Sequence, residues 1–480
     1  MIHFLLDDTE LRLQDADPNG SVLDWLRETR GLTGTKEGCA SGDCGACTVV
    51  VADAVEGDLR YQAINACVTP LGSLHGKQLI TVEHLSEGGQ LHPTQQAMVD
   101  CHGSQCGFCT PGFVMSLFAH LKTHRAPERH ALLESLGGNL CRCTGYRPIV
   151  EAGVRMYDPG AADRFDLAGA ETASRLEAIC LETPSTDAKV SEHHYLAPDS
   201  AADLGEVLAR HPGARLVAGG TDLMLEHTQG LVEFETLVYT GRVAELQQLE
   251  EIDGELHVGA AVTYSDCCEV LCGHWPDLGE LIERLGSRQI RNQGTLGGNV
   301  GTASPIGDMP PVLLALGARL RLRSAAGERE LPIEGYFLDY RQTALQPGEF
   351  IQSIILPLPR DGDWLQAYKI SKRLEDDISA VCAVFWLRLD GELISDVRLA
   401  FGGMAAVPKR ASAAEQVLLG QTFDESALSA AAATLVNDFA PISDMRASAD
   451  YRLQVARNLF QRLWLARGVD AAELRVARHA

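Results

Sequence analysis

The sequence has no window of about 18 uninterrupted apolar residues, so no membrane-spanning helix is expected. It is also short of positive charge: 41 Lys and Arg stand against 65 Asp and Glu, a net charge of −24. Nucleic acid and anionic membrane both need a basic face, so neither is expected as a partner. The start, Met1-Ile2-His3-Phe4-Leu5-Leu6-Asp7-Asp8, has no cationic stretch, and its apolar run ends at two aspartates, unlike an export signal. There is no G-x-G-x-x-G fingerprint, no internal repeat and no low-complexity tract. What remains is ordinary for a globular protein, with 45% apolar and 22% charged residues. At 480 residues the chain exceeds one core, and about three or four domains are expected. Fourteen cysteines without an export signal point to free thiols in a reducing cytoplasm.

The cysteines are not scattered. Cys39, Cys44 and Cys47 follow a C-x₄-C-x₂-C spacing, and Cys67 completes a set of four. That is the plant-type ferredoxin spacing for a [2Fe-2S] cluster. Four thiolates must converge on two irons, and the intervening glycines let backbone N–H groups turn inward. The rival readings are structural zinc, which prefers paired C-x₂-C knuckles, or plain core cysteines. A second set follows at Cys106-Gly107-Phe108-Cys109 and Cys141-Arg142-Cys143. Alone, its later pair is open to zinc or chance; beside a ferredoxin loop it indicates two clusters in series, and so electron transfer. Cys101, Cys180, Cys267, Cys268, Cys272 and Cys382 are left over.

The pattern along the chain places these sets in an α+β multidomain protein. Residues 1–80 form a small β-rich domain with a hairpin of Ile2 to Leu6 and Glu10 to Leu13, a short helix Val22 to Arg27, and strands around Val49 and Ala63. From 85 to 157 the period turns helical. Helices are expected from Pro93 to Cys101, from a Thr110 N-cap with Pro111 at N1, from Pro127 to Leu136 closed by Gly137-Gly138, and from Pro148 to Met156. Each cysteine pair falls in a loop joining helices. Residues 158–192 are expected to be a linker with one short helix. An α/β region spans 193–362, and a smaller α/β domain spans 363–475, with a strand pair about Asp390-Gly391 and helices near 411–420, 425–437 and 448–467.

The 193–362 region has two strand-to-glycine loops, Gly219-Gly220-Thr221-Asp222 and Gly294-Thr295-Leu296-Gly297-Gly298-Asn299. Such turns make anion-binding nests for a diphosphate. Each taken alone also fits a plain tight turn. An electron wire needs a terminal carrier, and a flavin, which divides electron pairs, is suited to it. The residues themselves reach as far as a dinucleotide cofactor bound outside a Rossmann fold.

Three runs carry a family resemblance: Glu37-Gly38-Cys39 with Cys44-Gly45-Ala46-Cys47-Thr48, then Gln105 to Gly112, then Asn139 to Tyr146. With Gly297-Gly298-Asn299, Ala303-Ser304-Pro305 and Asp308, they resemble the xanthine dehydrogenase family of molybdenum hydroxylases over nearly the whole chain. The resemblance implies a β-grasp ferredoxin-like domain, a four-helix [2Fe-2S] domain, a vanillyl-alcohol-oxidase-type FAD domain and a small α/β C-terminal domain. It implies that FAD lies along Leu216, Val217, Ala218, Gly219, Gly220, Thr221, Asp222 and Leu223, and along Thr295, Leu296, Gly297, Gly298 and Asn299. Asp308 would lie nearby, with Leu285, Ile351 and Lys369 at further flavin-contact positions. Tyr340 and Glu375-Asp376-Asp377 match the nicotinamide side. A solvated surface lysine at 369 and a solvated loop at 375–377 are the bland readings. Between the first two ligands the run Ala40-Ser41-Gly42-Asp43 departs from a glycine-rich pattern, and Asp43 would lower the cluster potential.

The family's long molybdopterin-binding region is not among these 480 residues, and it is expected on a separate chain. The expectation is therefore the small iron–sulfur/FAD subunit of a bacterial enzyme, with no catalytic residue of its own. Its partner would be a molybdopterin-binding large subunit, in a heterotetramer with two of each. Electrons would run from molybdenum to the helical-domain cluster, the ferredoxin-domain cluster, FAD and NAD⁺. The alternatives are the equivalent subunit of a hydroxylase acting on an aldehyde or N-heterocycle, and a stand-alone iron–sulfur redox sensor.

Overall fold

The computed structural model describes residues 1–14, 16–157, 162–182, 188–190 and 193–469. They divide into two compact units. The first is Met1–Val243 together with Gly286–Gly294; the second is Ala244–Leu285 together with the chain from Thr295 onward.

The first unit opens on a five-stranded sheet of β1 (Ile2–Leu6), β2 (Thr9–Leu13), β3 (Thr48–Val55), β4 (Asp58–Asn65) and β5 (Gln78–Ile80), in the order β2-β1-β5-β3-β4. The β1–β2 hairpin turns at Asp7, with φ of +54°. The short helix is also present, begun at Val22 by a Ser21–Asp24 capping box and continued through Trp25–Thr29. Strand β5, absent from the sequence reading, runs parallel to β1 and antiparallel to β3. It is wholly buried and too short to show a two-residue period.

Four helices follow: α1 (Pro93–Asp100), α2 (Thr110–Thr123), α3 (Arg129–Leu136) and α4 (Arg147–Arg155). Two expected caps differ. Cys109 holds the cap position of α2 without a side-chain bond, and Thr110, inside the helix, turns its hydroxyl to Ser104 Oγ at 2.8 Å. Gly137 ends α3 in right-handed conformation, and Gly138 is demanded by packing, since a Cβ there would lie 2.3 Å from Gln289 Oε1. Helix α2 is buried from Gly112 to His120 rather than along one stripe. It lies between Val50, Ala52, Tyr61 and Ala63 of the sheet and Leu132 and Ile149 of α3 and α4, in one continuous core.

The expected linker carries more structure than one short helix. Asp163 caps Arg164–Leu167, and Gly169–Leu181 packs Leu176 and Ile179 on Leu5. Beyond it, His193–Leu196, Thr236–Tyr239 and Arg215–Val217 form a small parallel sheet, edged by Ala188–Val190.

The second unit has an antiparallel five-stranded sheet in the order Leu249–Ile252, Glu255–Gly259, Phe350–Pro357, Arg319–Ser324, Gly327–Pro332. A four-stranded sheet is built on the expected pair, Val381–Asp390 and Leu393–Gly402. Helices Ser412–Leu418, Glu425–Ala433 and Ala449–Ala466 cover it, with Phe385, Phe401 and Phe460 at the centre of the core. Among the described residues no helix is long and apolar enough to cross a membrane.

Candidate functional site

Both cysteine sets assemble, and they do so in pairs. Cys47 Sγ and Cys67 Sγ are 3.3 Å apart, both buried, while Cys39 and Cys44 share a hydrogen bond. That bond lowers the pKa of Cys39 to about 4 and raises that of Cys44, the behaviour of one thiolate holding one proton. The amides of Ser41 and Cys44 each donate to Cys39 Sγ at 3.4 Å. In the second set Cys106 pairs with Cys143 and Cys109 with Cys141. Thr144 donates its amide to Cys141 Sγ at 3.5 Å.

Among the described residues no three His, Cys, Asp or Glu side chains converge as ligands of a single ion. A two-iron cluster asks for two thiolates per iron, and a two-by-two arrangement of thiols fits that demand. Asp43, expected to act on the cluster, is exposed and accepts the Ser41 hydroxyl at 2.6 Å.

The two ligand loops touch. Leu140, one residue before Cys141, donates its amide to the carbonyl of Cys44 at 3.0 Å. Asn139 Nδ2 donates to the Gly45 carbonyl at 3.0 Å. Gly45 sits at φ +66°, and a Cβ there would lie 2.3 Å from the Gly138 carbonyl. No larger residue fits.

Beneath this contact lies a buried polar hub that the sequence did not announce. Gln289 Nε2 is 3.2 Å from each of Thr48 Oγ1, Ser116 Oγ and Asn139 Oδ1. Gln289 is fully buried, and its Oε1 has no hydrogen-bond partner. Beside it, Glu134 accepts from Arg288 at 3.3 Å and from Arg291. Burial opposes ionisation of Glu134, but the two guanidinium groups outweigh it and hold its pKa below the usual carboxylate value. Asn292 Nδ2 donates to Ala63 O at 2.8 Å, and Gln293 Nε2 to Thr69 Oγ1 at 2.8 Å, on either side of Cys67. The only signal in the sequence was a polar run, Ser287 to Gln293, which resembles a solvated helix face.

The first glycine loop leads from Arg215–Val217 into helix Leu223–Thr228. A Cβ on Gly219 would fall 1.9 Å from the Gln293 carbonyl, and one on Gly220, which sits at φ +76°, would fall 2.8 Å from the Val68 carbonyl. The far end of that helix meets the first cluster loop. Thr228 Oγ1 donates to Ala40 O at 2.8 Å, and Gln229 Nε2 to Cys39 O at 3.0 Å. Neither residue was singled out from the sequence.

The second glycine loop belongs to the second unit. Thr295 caps Leu296–Gly301, its Oγ1 accepting from Gly298 N at 2.9 Å. Gly297 is required by packing, because a Cβ would lie 2.5 Å from that of Ala260. A Cβ on Gly298 would lie 2.9 Å from the Thr295 hydroxyl that caps its own amide and would press on that cap, with no other atom within 4 Å. Asn299 Oδ1 is buried with no hydrogen-bond partner. An exposed glycine beside an orphaned buried acceptor fits a loop that receives a polar group.

Lys369 is not a surface lysine. It is 6% exposed, and its Nζ lies 2.5 Å from Asp308 Oδ2, while Ser379 Oγ donates to Asp308 Oδ1 at 2.5 Å. Ile351 is buried on the strand beside Leu322, and Leu285 is buried at the end of its segment. Tyr340 is exposed. Asp377 accepts the amides of Lys372 and Arg373 at 3.1 and 3.0 Å, which ties down the loop that also carries Glu375 and Asp376.

Four family matches cover most of the chain. Residues 5–72 match the 2Fe-2S iron–sulfur cluster binding domain and 81–153 the [2Fe-2S] binding domain. Residues 188–359 match the FAD binding domain in molybdopterin dehydrogenase, and 366–466 the CO dehydrogenase flavoprotein C-terminal domain. Xanthine dehydrogenase of Emericella nidulans is 35% identical over 96% of this chain and 38% of its own length. That of Drosophila subobscura is 32% identical over 91% and 37%. The chain thus spans about two fifths of the length of these curated relatives. Among solved structures, carbon monoxide dehydrogenase from Hydrogenophaga pseudoflava, lacking the Mo-pyranopterin moiety of its molybdenum cofactor, aligns at TM-score 0.54 and 28% identity. The alignment covers 56% of this chain and 95% of that one. Quinoline 2-oxidoreductase from Pseudomonas putida 86 aligns at TM-score 0.52 and 29% identity, over 59% and 97%. With two [2Fe-2S] domains, an FAD-binding domain and a flavoprotein C-terminal domain in this order, the chain belongs to the molybdenum hydroxylase family as a homologue of its iron–sulfur and flavin region.

Proposed function

We propose that the chain is the electron-transfer part of a xanthine dehydrogenase, serving purine catabolism in the cytoplasm and conveying electrons from a molybdenum site on a partner subunit to NAD⁺. The observation that carries this reading is the bond from Leu140 to Cys44, which joins the two ligand loops by their backbones. Cys39, Cys44, Cys47 and Cys67 would hold one cluster, and Cys106, Cys109, Cys141 and Cys143 the other. Leu216 to Leu223 and Thr295 to Asn299 would contact FAD, with Leu285, Asp308, Ile351 and Lys369. When bound, the clusters carry single electrons and the flavin gathers them into pairs.

The protein's own residues hold the wire in place. Thr228 and Gln229 fix the Cys39–Ala40 carbonyls against the helix that follows the first glycine loop. Asn139 and Gln289 fix the second ligand loop against the first. Cys106 and Cys143 are exposed, as are Phe108, Leu140 and Tyr146 around them. That face, with Gln105, suits a covering partner that carries a molybdopterin cofactor, in a heterotetramer of two copies of each chain. The match to nearly all of a separate carbon monoxide dehydrogenase chain supports such a division of labour. The same likeness, and that to quinoline 2-oxidoreductase, supports the second reading, a sister hydroxylase acting on an aldehyde or N-heterocycle.

The test is turnover. Alone, the chain should oxidise NADH with an artificial dye but leave hypoxanthine and xanthine untouched. Co-expression with a molybdopterin-binding chain should restore purine oxidation. Purine turnover by this polypeptide by itself, free of molybdenum, would overturn the proposal. Restored activity toward an aldehyde or N-heterocycle but no purine would decide for the second reading.

A further inference from the structure

Three cysteines outside both quartets sit on one helix of the second unit, Tyr264–His274. Cys267 is fully buried and turns its Sγ to the Tyr264 carbonyl at 3.8 Å. Cys268 and Cys272 are one helical turn apart, on one face, with their sulfurs 3.7 Å apart and both side chains half-buried. They touch each other and remain within reach of solvent.

The geometry decides what such a pair does. Four residues of helix advance about 6 Å, inside the roughly 4.4–6.8 Å between Cα atoms that a disulfide spans. The Cβ atoms of such a pair are about 5–6 Å apart, more than the roughly 3.5–4.5 Å of a relaxed disulfide. Closing the bond therefore has to tighten the helix locally. A disulfide formed under that strain is easily reduced, the behaviour of a labile bond rather than a structural one.

The helix is tied to a place where tightening would be felt. Its N-cap is Thr263, whose Oγ1 accepts the Asp266 amide at 3.2 Å, and the Cys267 amide donates to the Thr263 carbonyl at 3.1 Å. Thr263 also forms a bridge with Thr295, and Leu296 donates its amide to the Val262 carbonyl at 3.2 Å. The dithiol helix thus starts from the backbone of the second glycine loop.

We propose that Cys268 and Cys272 form a redox-active dithiol, which a low-molecular-weight disulfide closes into an intrahelical disulfide, and that closure is transmitted to the Thr295–Asn299 loop. The contact with Cys268, together with burial, raises the pKa of Cys272. The first attack is assigned to Cys268, and the Cys272→Ser variant below tests that order. The Cys268 thiolate displaces one thiolate from the small disulfide and forms a mixed disulfide. Cys272, losing its proton, then displaces the second. Two protein thiols are oxidised to one disulfide, and the small disulfide is reduced to two thiols. The dithiol stands by itself; its effect on the loop rests on the FAD reading above.

The experiment uses the iron-loaded holoprotein, with iron and flavin counted first, exposed anaerobically to oxidised glutathione and then alkylated. Peptide mapping should find Cys268 and Cys272 unalkylated and joined to each other, and dithiothreitol should restore both adducts. Cys272→Ser should stop at a glutathione adduct on Cys268. In the oxidised wild type, flavin release on dilution should change at least twofold, with no change in Cys272→Ser. Full alkylation of both cysteines after glutathione treatment would overturn the dithiol. A formed disulfide with unaltered flavin release would overturn the coupling alone, and holoprotein that never carried flavin would count against the FAD reading instead.

Discussion

The amide of Leu140 is bonded to the carbonyl of Cys44 at 3.0 Å, so one hydrogen bond separates the backbone of one cluster loop from that of the other. Cys44 belongs to the first quartet, and Leu140 is the neighbour of Cys141 in the second. The side chains that hold this bond in place are Asn139 and Gln289.

Asn139→Ala should loosen that junction without removing a ligand. It removes the Asn139 bonds to the Gly45 carbonyl, Ser116 and Gln289, each of which keeps another partner, at a cost of about 0.5–1.5 kcal/mol per bond lost. Iron content should stay at four per chain, while the magnetic coupling between the two reduced centres weakens. Unchanged coupling in electron paramagnetic resonance spectra would show that the hub does not set the cluster spacing.

Each quartet should behave as a unit, because three thiolates leave an iron open. Cys44→Ala and Cys109→Ala are each expected to lose about half the iron and one of two distinct resonance signals. If both variants kept all their iron and both signals, the ligand assignment would be wrong.

The two glycines of the second loop should separate under substitution. Gly297→Val collides with Ala260 and should lower the melting temperature. Gly298→Val has room within the protein apart from its own cap, so it should fold, keep its iron and elute with little flavin. Full flavin retention in folded Gly298→Val would remove the loop from the cofactor's binding site.

Lys369→Met should be costly, because it leaves the Asp308 carboxylate buried with only Ser379 to satisfy it. Breaking a buried pair from one side typically costs about 3–5 kcal/mol. Urea unfolding of Lys369→Met against Lys369→Met/Asp308→Asn checks this. The double variant should regain part of the loss, and no recovery would mean that the pair is not what the lysine stabilises.

His120 gives the helical half a pH dependence. Burial, aided by the neighbouring His124, pushes its pKa down to about 4, against about 6.5 in an unfolded chain. Between those values the unfolded state binds the extra proton. Stability is therefore complete above about pH 6.5 and is lost as pH falls from there toward about 4. The drop in melting temperature from about pH 7.5 to about pH 5 should be smaller in His120→Gln than in wild type.

What could be read in advance was whatever is local in the chain. Cysteine spacing, glycine turns and long periodic helices carry their meaning within a few residues, so the nearness of the cysteines and the helices around them were legible. The hub was not, because Gln289 and Arg291 are polar residues in a polar run, and only the folded chain shows them buried. Strand β5 is too short for periodicity, and Gly138 looked like a helix stop when it is a gap for Gln289. Lys369 needed Asp308, far away in sequence, to declare itself.

The arm Gly286–Gly294 packs with the unit that is otherwise complete at Val243. During synthesis the ferredoxin and helical parts leave the ribosome long before the residues that finish their core, with Ala244–Leu285 emerging in between. Glu134 waits without its arginines, and Thr48, Ser116 and Asn139 without their glutamine, until the chain has passed residue 294. Division of the gene at Val243 would therefore yield a first fragment whose cluster-bearing half can close only by borrowing that arm from the second.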